Sequence, residues 1–494
     1  QTQTNQNLQT DWAFLNNPTT GVLGSNYTPS GALTDFDTSD ALHRYYSYYF
    51  TANYVYDKRY SLFASYRVDN TDLFGADAKF RRRPLWSIGG SWNMHNEKFM
   101  QSASSWIDVL KLRFSYGLTG NIDQSMSSFL TATISVNNLS GDKMATLNTP
   151  PNDDLRWEKT ASWNVGLDFS LFRNRLSGSI DWYHKLSSDL LTVTDLDPTT
   201  GWTSLTINNG KMNNTGIELQ LDGRILPAHR RENVGINLGF NIAYNKNKVT
   251  KVSHQPASGS EYLRASLHEG YPLNSLFSID YAGLVEKDGT YFVGWRDKEG
   301  EVHTESYTSG SFTIEDAVFS GTYTPTISGA ITPEITWNGF SLSAMFNYYG
   351  GHYMRLGNDA WLYNIGGSSG YKASFGVGAV PKDYLRYWNG DPDVPANGYM
   401  TIHYSNMDGG IYRDTNVEHA GYMKLRNIVL GYSFSKNVCR ALRLNELRLR
   451  FQMNNVCTWA RNSRGLDPEA VNIYNGSTLN TVPRSYTMSL YLNF

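Results

Sequence analysis

Strict alternation of apolar and polar residues over about ten positions, repeated many times, is the feature that most constrains this chain. From 109 to 118, Leu110, Leu112, Phe114, Tyr116 and Leu118 interleave with Lys111, Arg113, Ser115 and Gly117. From 161 to 170, Ala161, Trp163, Val165, Leu167 and Phe169 alternate with Ser162, Asn164, Gly166, Asp168 and Ser170. Val234, Ile236, Leu238, Phe240, Ile242 and Tyr244 repeat the pattern, and 59–68, 175–185, 215–222, 339–348 and 446–454 read likewise. Successive side chains of a strand point to opposite faces, so each segment has one apolar and one polar side. Helical periodicity is scarce, and the chain reads as all-β.

Two architectures use such strands. A soluble sandwich turns the apolar faces inward against each other. A transmembrane barrel turns them outward to lipid and lines a wet lumen with the polar faces. Strands of about ten residues match a tilted bilayer crossing, whereas soluble strands usually run to about five or six. Aromatics crowd strand ends, as in Tyr45, Tyr46, Tyr48, Tyr49 and Phe50, which suits interfacial girdles. The chain has 33 Tyr, 22 Phe and 13 Trp but only 18% charged residues. With 40% apolar residues and a mean hydropathy of −0.45, no run approaches a membrane-spanning helix. The balance of 43 basic and 45 acidic residues gives no electrostatic footprint for nucleic acid. The barrel is favoured.

Thirteen strands are expected, at 41–56, 59–68, 84–93, 109–118, 158–170, 175–185, 213–223, 233–248, 323–333, 338–349, 421–434, 445–457 and 483–494. Short turns follow 41–56, 161–171 and 323–333, and long excursions follow 59–68, 109–118, 234–248, 339–349 and 446–457. Barrels place the short turns in the periplasm and the long loops outside. Segments 129–136 and 274–283 are expected as structure inside outer loops. Single-chain barrels have even strand numbers, so thirteen predicts the C-terminal part of a larger barrel. Residues 1–40 would then be an extracellular loop segment at a chain break and 41–494 barrel, with a long outer loop at 350–420.

The last strand carries Tyr486, Met488, Leu490, Leu492 and Phe494 on one face to the end of the sequence, the form expected of a barrel-assembly signal. Cys439 and Cys457 are expected to be free. About eleven strand residues at ~3.3 Å each would separate them, against a disulfide Cα spacing below about 7 Å. Gly366-Gly367-Ser368-Ser369-Gly370 matches the nucleophile-elbow pattern without the strand and helix that chemistry needs. Asp391-Pro392-Asp393 lacks calcium-loop spacing and reads as a solvated turn. No catalytic residue, metal or cofactor is expected. Lys79, Arg81, Arg82 and Arg83 form a basic cluster at the outer rim, either solvated or contacting lipopolysaccharide phosphates. Loop 350–420 carries Trp361, Tyr363, Tyr371, Phe375, Tyr384, Tyr387 and Trp388, aromatic faces suited to contact a substrate or a lid partner.

Several blocks together resemble the SusC/RagA-type family of TonB-dependent outer-membrane transporters of Bacteroidetes. They are Arg59 to Asp69, Leu110 to Asn121, Leu155 to Thr160 with Asn164 to Phe169, Tyr422 to Ile428, and Gly465 to Glu469. In the first, Asn70-Thr71 replaces the family's Gly-Ser. The resemblance implies a 22-stranded barrel whose plug, first strands and TonB-contacting segment lie in an N-terminal half. It also implies energised import of a bulky nutrient, an oligosaccharide or an oligopeptide, in the cell outer membrane. The implied partners are a SusD-like surface lipoprotein lid, the N-terminal half with its plug, the TonB-ExbB-ExbD complex, and outer-membrane lipid with lipopolysaccharide. A dimer of transporter–lipoprotein pairs is implied as well. Two other readings stay open at this point: a secreted all-β glycan-binding module or glycoside hydrolase, and a passive porin-like channel.

Overall fold

The computed structural model describes residues 2–10, 36–71, 82–123, 126, 128–137, 140–227, 232–254, 256–287, 290–308, 310–356, 412–472, 476 and 479–494. In chain order, β1 (Thr2–Thr10), β2 (Phe36–Tyr56), β3 (Tyr60–Thr71), β4 (Arg82–Asn93) and β5 (Ile107–Asn121) come first. A detached pair follows, β6 (Thr131–Val136) and β7 (Lys143–Thr149), then β8 (Glu158–Leu171), β9 (Leu176–Asp195), β10 (Ser204–Leu226) and β11 (Gly235–Lys251). The next excursion holds helix α1 (Gly259–Arg264), β12 (Ser275–Lys287), β13 (Thr290–Arg296), β14 (Val302–His303) and β15 (Ala317–Thr322). Then come β16 (Ile327–Trp337), β17 (Phe340–Gly350), β18 (Tyr353–Arg355), β19 (Val417–His419), β20 (Tyr422–Ser433), helix α2 (Lys436–Ala441), β21 (Glu446–Ala460) and β22 (Ser485–Asn493). No helix among the described residues is long and apolar enough to cross a membrane.

Among the described residues fourteen strands form one antiparallel sheet in the order β1-β2-β3-β4-β5-β8-β9-β10-β11-β16-β17-β20-β21-β22, a meander. Tight turns alternate with long excursions, and the tight turns are made by residues in left-handed backbone. Asp57 and Lys58 have φ 49° and 55°, and Asn338-Gly339 has φ 48° and 87°, the geometry of a hairpin whose twist matches its strands. The sequence reading ended the strand at Pro333, but β16 continues to Trp337. Pro333 lies where the β16–β17 pairing is interrupted between Ile331 and Glu334, a tolerable place for a residue without an N–H.

The strand count is one more than expected. Thr2–Thr10, read from the sequence as loop, pairs with Phe36–Arg44 of β2. Its one apolar residue, Leu8, leaves no alternation to detect, because a backbone ladder needs none. Thr2 sits opposite Arg44, part-way along β2, so Thr2–Thr10 is strand within the sheet and the odd count of thirteen does not hold among the described residues. Strands also run longer than their alternating cores: β10 has 23 residues where 213–223 was expected.

Cross-strand register separates sandwich from barrel. Tyr54, Leu62, Gly90, Phe114, Val165, Trp182, Ile217, Tyr244 and Ile327 lie directly opposite one another across nine successive strands. A second row runs Ile335, Leu342, Leu430, Phe451 and Met488. The large side chains in these rows other than Ile327 are exposed. A sandwich would bury this face. A sheet that presents continuous apolar rows outward is built for lipid. Tyr486, Met488, Leu490 and Leu492 stand on the same face of β22, and with Phe494 all are exposed.

Apolar cores occur in the excursions instead. Leu263, Phe277, Ile279, Trp295 and Phe312 pack together between α1 and the four-stranded sheet β14-β13-β12-β15. Met354, Leu356, Ala420 and Val471 form a second core. The strand-like segments 129–136 and 274–283 thus lie in excursions, as expected, within the β6–β7 pair and the β12 sheet. Cys439 and Cys457 are free thiols.

Candidate functional site

The opposite face of the sheet is polar and internally tied. Ser91, Arg113, Gly166, Asp181, Glu218, Ala243 and Ser328 stand in register across it. Arg113 grips Asp168 through Nε (2.9 Å) and Nη2 (2.7 Å), and its Nη2 also donates to Asp181 (3.1 Å). The two-pronged contact suits a planar guanidinium. Gly166 makes it possible: a Cβ there would meet the Asp181 carboxylate and would lie 2.6 Å from Nη2 and 2.7 Å from Cζ of Arg113. Gly166→Ala is therefore expected to lower the stability of the inserted protein by about 1–3 kcal/mol. The effect should shrink in an Arg113→Met, Asp181→Ala background, read as unfolding midpoints in detergent; equal losses in both backgrounds would sink the assignment.

Toward the outer end, a second group of ion pairs fastens the excursions to the sheet. Arg156 donates to Asp189 (3.0 Å), which Lys159 also pairs, while the Asn208 amide donates to the carbonyls of Arg156 (2.6 Å) and Asp189 (2.8 Å). His254 bridges Asp195 (2.8 Å) and Glu261 of α1 (3.0 Å). Hydrogen bonding to Asp195 raises the His254 pKa above the ordinary imidazole value, against a burial that lowers it, so the cation is favoured.

The tightest cluster lies at the outer end of β20. Lys424, 7% exposed, contacts Asp467 (2.7 Å) and Glu469 (2.5 Å). Tyr422 donates to Glu469 (2.8 Å), and Arg426 pairs with the same carboxylate. Burial raises the Glu469 pKa, but Lys424, Tyr422 and Arg426 outweigh it and hold the carboxyl below its ordinary value. Tyr323 reaches the same turn, donating to the carbonyls of Pro468 (3.0 Å) and Val471 (3.1 Å). Two blocks read separately in the sequence, Tyr422 to Ile428 and Gly465 to Glu469, are thus one contact. Arg113 and Asp168 join two others in the same way.

The neck of the long excursion after β17 is described at both ends, where Tyr353, Met354 and Arg355 pair with His419, Glu418 and Val417. Arg355 is 3% exposed. Its Nη2 donates to the Phe277 carbonyl at 2.6 Å, and its guanidinium lies 4.8 Å from the Tyr412 ring centre. Beside it is a cavity of about 240 Å³ whose walls include Arg264, Asn274, Ser275, Tyr323 and Tyr412. Burial pushes the Arg355 pKa down to about 10, so the group stays charged at neutral pH. Sequence reasoning missed this site. An isolated arginine in a glycine-rich excursion carries no periodic signal, and its carbonyl partner is 78 residues away.

The aromatic candidates Trp361, Tyr363, Tyr371, Phe375, Tyr384, Tyr387 and Trp388 lie outside the described residues, as do Gly366 to Gly370, Asp391 to Asp393, Lys79 and Arg81. The backbones of Arg82 and Arg83 open β4 opposite Asn70 and Asp69. Asp297, Glu301 and His303 bring ligand atoms within 4.8 Å of one another. Asp297 already bonds His303 (2.8 Å) and the backbone N–H groups of Glu299 (3.0 Å) and Glu301 (2.8 Å), so an ordinary turn accounts for that grouping.

Over residues 1–456 the chain matches the family described as TonB dependent receptor-like, beta-barrel. It is similar to TonB-dependent receptor P39 of Formosa agariphila, 27% identical over 479 residues that cover 88% of this chain and 44% of that one. It is also similar to TonB-dependent receptor SusC of Bacteroides thetaiotaomicron, 24% identical over 484 residues that cover 90% of this chain and 43% of that one. Among solved structures, that of the RagAB peptide transporter superposes with a TM-score of 0.74 at 25% identity, covering 97% of this chain and 50% of the other. The chain spans about half the length of the relatives it matches.

Proposed function

Because this chain belongs to the TonB-dependent receptor-like β-barrel family, which lies in the outer membrane, we propose that its polar face lines the path of an imported oligomer. The whole protein would be an active transporter of an oligosaccharide or oligopeptide, not an enzyme. The observation that carries this is the two-faced sheet: uncovered apolar rows outward, an ion-paired polar wall behind them, and folded excursions at one end. A plug in the remaining half of the protein would close the lumen, and TonB with its ExbB-ExbD partners would pull it open. A SusD-like surface lipoprotein would cover the excursions, with the loop aromatics Trp361 to Trp388 turned toward cargo or lid. The basic cluster Lys79 to Arg83 suits lipopolysaccharide phosphates at the rim, and β22 suits recognition by the insertion machinery.

The test is uptake of labelled oligosaccharide and oligopeptide pools by cells carrying the full-length transporter. Uptake of one pool should collapse when TonB or the neighbouring lipoprotein is deleted. Undiminished entry in both deletions would make the protein a passive channel and overturn the reading.

A further inference from the structure

We propose that the cavity beside Arg355 receives a carboxylate carried by the imported oligomer, with the Arg355 guanidinium as its counter-ion. The proposal rests on the import reading and adds the charge of the cargo. A guanidinium removed from water is costly unless paired and hydrogen-bonded. Other cations near the excursions meet that need with carboxylates: Lys424 with Asp467 and Glu469, Arg296 with Asp280, and His254 with Asp195 and Glu261. Arg355 has no carboxylate partner among the described residues. One Nη2–H goes to a carbonyl, the π-face is covered by Tyr412, and the buried Nε–H has no partner among the described residues.

The cavity supplies what a carboxylate-bearing group would need. The Asn274 amide offers a donor along its wall, Ser275 spends its hydroxyl proton on the Pro272 carbonyl at 2.6 Å, and Tyr323 and Tyr412 offer aromatic surface. Arg264 adds a second cation; it is exposed, and its Nε is held by the Ser260 carbonyl at 3.1 Å. No acidic residue lines the cavity among the described residues. At about 240 Å³ it has room for one acidic unit and not for a chain. That unit would be a uronic-acid ring of a glycan or an acidic residue of a peptide. An arginine presents parallel donors that match the two oxygens of a carboxylate.

The experiment measures binding to the purified full-length transporter with its lid lipoprotein in detergent at pH 7, without energisation. The probes are tri-galacturonate against its full methyl ester, and C-terminally amidated Ala-Asp-Ala against C-terminally amidated Ala-Asn-Ala. One acidic probe should bind at least tenfold tighter than its neutral counterpart, and the pair that shows it identifies the source of the carboxylate. Arg355→Gln should erase that tenfold while leaving the neutral probe unchanged. Arg264→Gln, at an exposed position, should cut the preference about threefold. The proposal is overturned if neither acidic probe is preferred by the wild type. It is also overturned if the preference survives both substitutions, or survives Arg264→Gln when Arg355→Gln does not fold. Loss of TonB-dependent uptake with the binding preference intact would count against the import reading alone.

Discussion

Ile217→Arg is expected to destabilise the inserted barrel by about 2–4 kcal/mol, the cost of a cation on the lipid face near the bilayer midplane. Ile217 sits between Trp182 and Tyr244 in the longer apolar row. Its side chain is 51% exposed. In a water-soluble sheet a substitution at so open a position usually stays within about 0.5 kcal/mol. Gln220→Arg is the matched control. Gln220 belongs to the polar face of the same strand, where its amide donates to Asp222 at 3.1 Å, and the change should be nearly neutral. Unfolding titrations in lipid vesicles, followed by heat-modifiable gel migration, measure both. Equal effects at the two positions would mean that the faces are assigned wrongly.

Lys424→Met is the second large effect. The ammonium lies between Asp467 and Glu469, and removing it leaves two carboxylates facing each other in a site that is largely closed to water. Breaking a buried ion pair from one side costs about 3–5 kcal/mol. Here the cost should fall on the turn carrying Asp467, Pro468 and Glu469, because the ladder of β20 with β17 and β21 does not involve the Lys424 side chain. Hydrogen exchange over 461–472 is expected to accelerate strongly while exchange along the strand core, 427–432, stays slow. A triple change that also replaces Asp467 and Glu469 by their amides should recover much of the loss. Exchange unchanged in Lys424→Met would show that the turn is held by Tyr323 and the apolar contacts of Val471 alone.

The sheet was legible in the sequence where its strands cross lipid. Leu110 to Leu118, Ala161 to Phe169 and Val234 to Tyr244 alternate because one face meets hydrocarbon and the other water, and all but Val234, which immediately precedes β11, lie in sheet strands. Strand ends were less legible. Ser204 to Met212 and Leu186 to Asp195 extend their strands beyond any apolar alternation, held by the ladder between them. Thr2–Thr10 is the extreme case. The turn Asn338-Gly339 was available as a hairpin signal but was masked by Pro333, which drew the strand end too early.

The sites divide along the same line. Arg113 and Asp168 each lie in a recognisable alternating strand, and their pairing required only the neighbouring register. Lys424 with Glu469 joins residues 45 apart, and Arg355 with the Phe277 carbonyl joins residues 78 apart. Alternation is a local property, imposed on every strand by the same two solvents, so the sequence alone determined an outward apolar and an inward polar face. Which groups converge above that wall depends on how the excursions fold back on it, through contacts distant in sequence and without any period. Only the tertiary structure decided that Arg355 is buried beside a cavity, without a carboxylate among the described residues, while Lys424 has two.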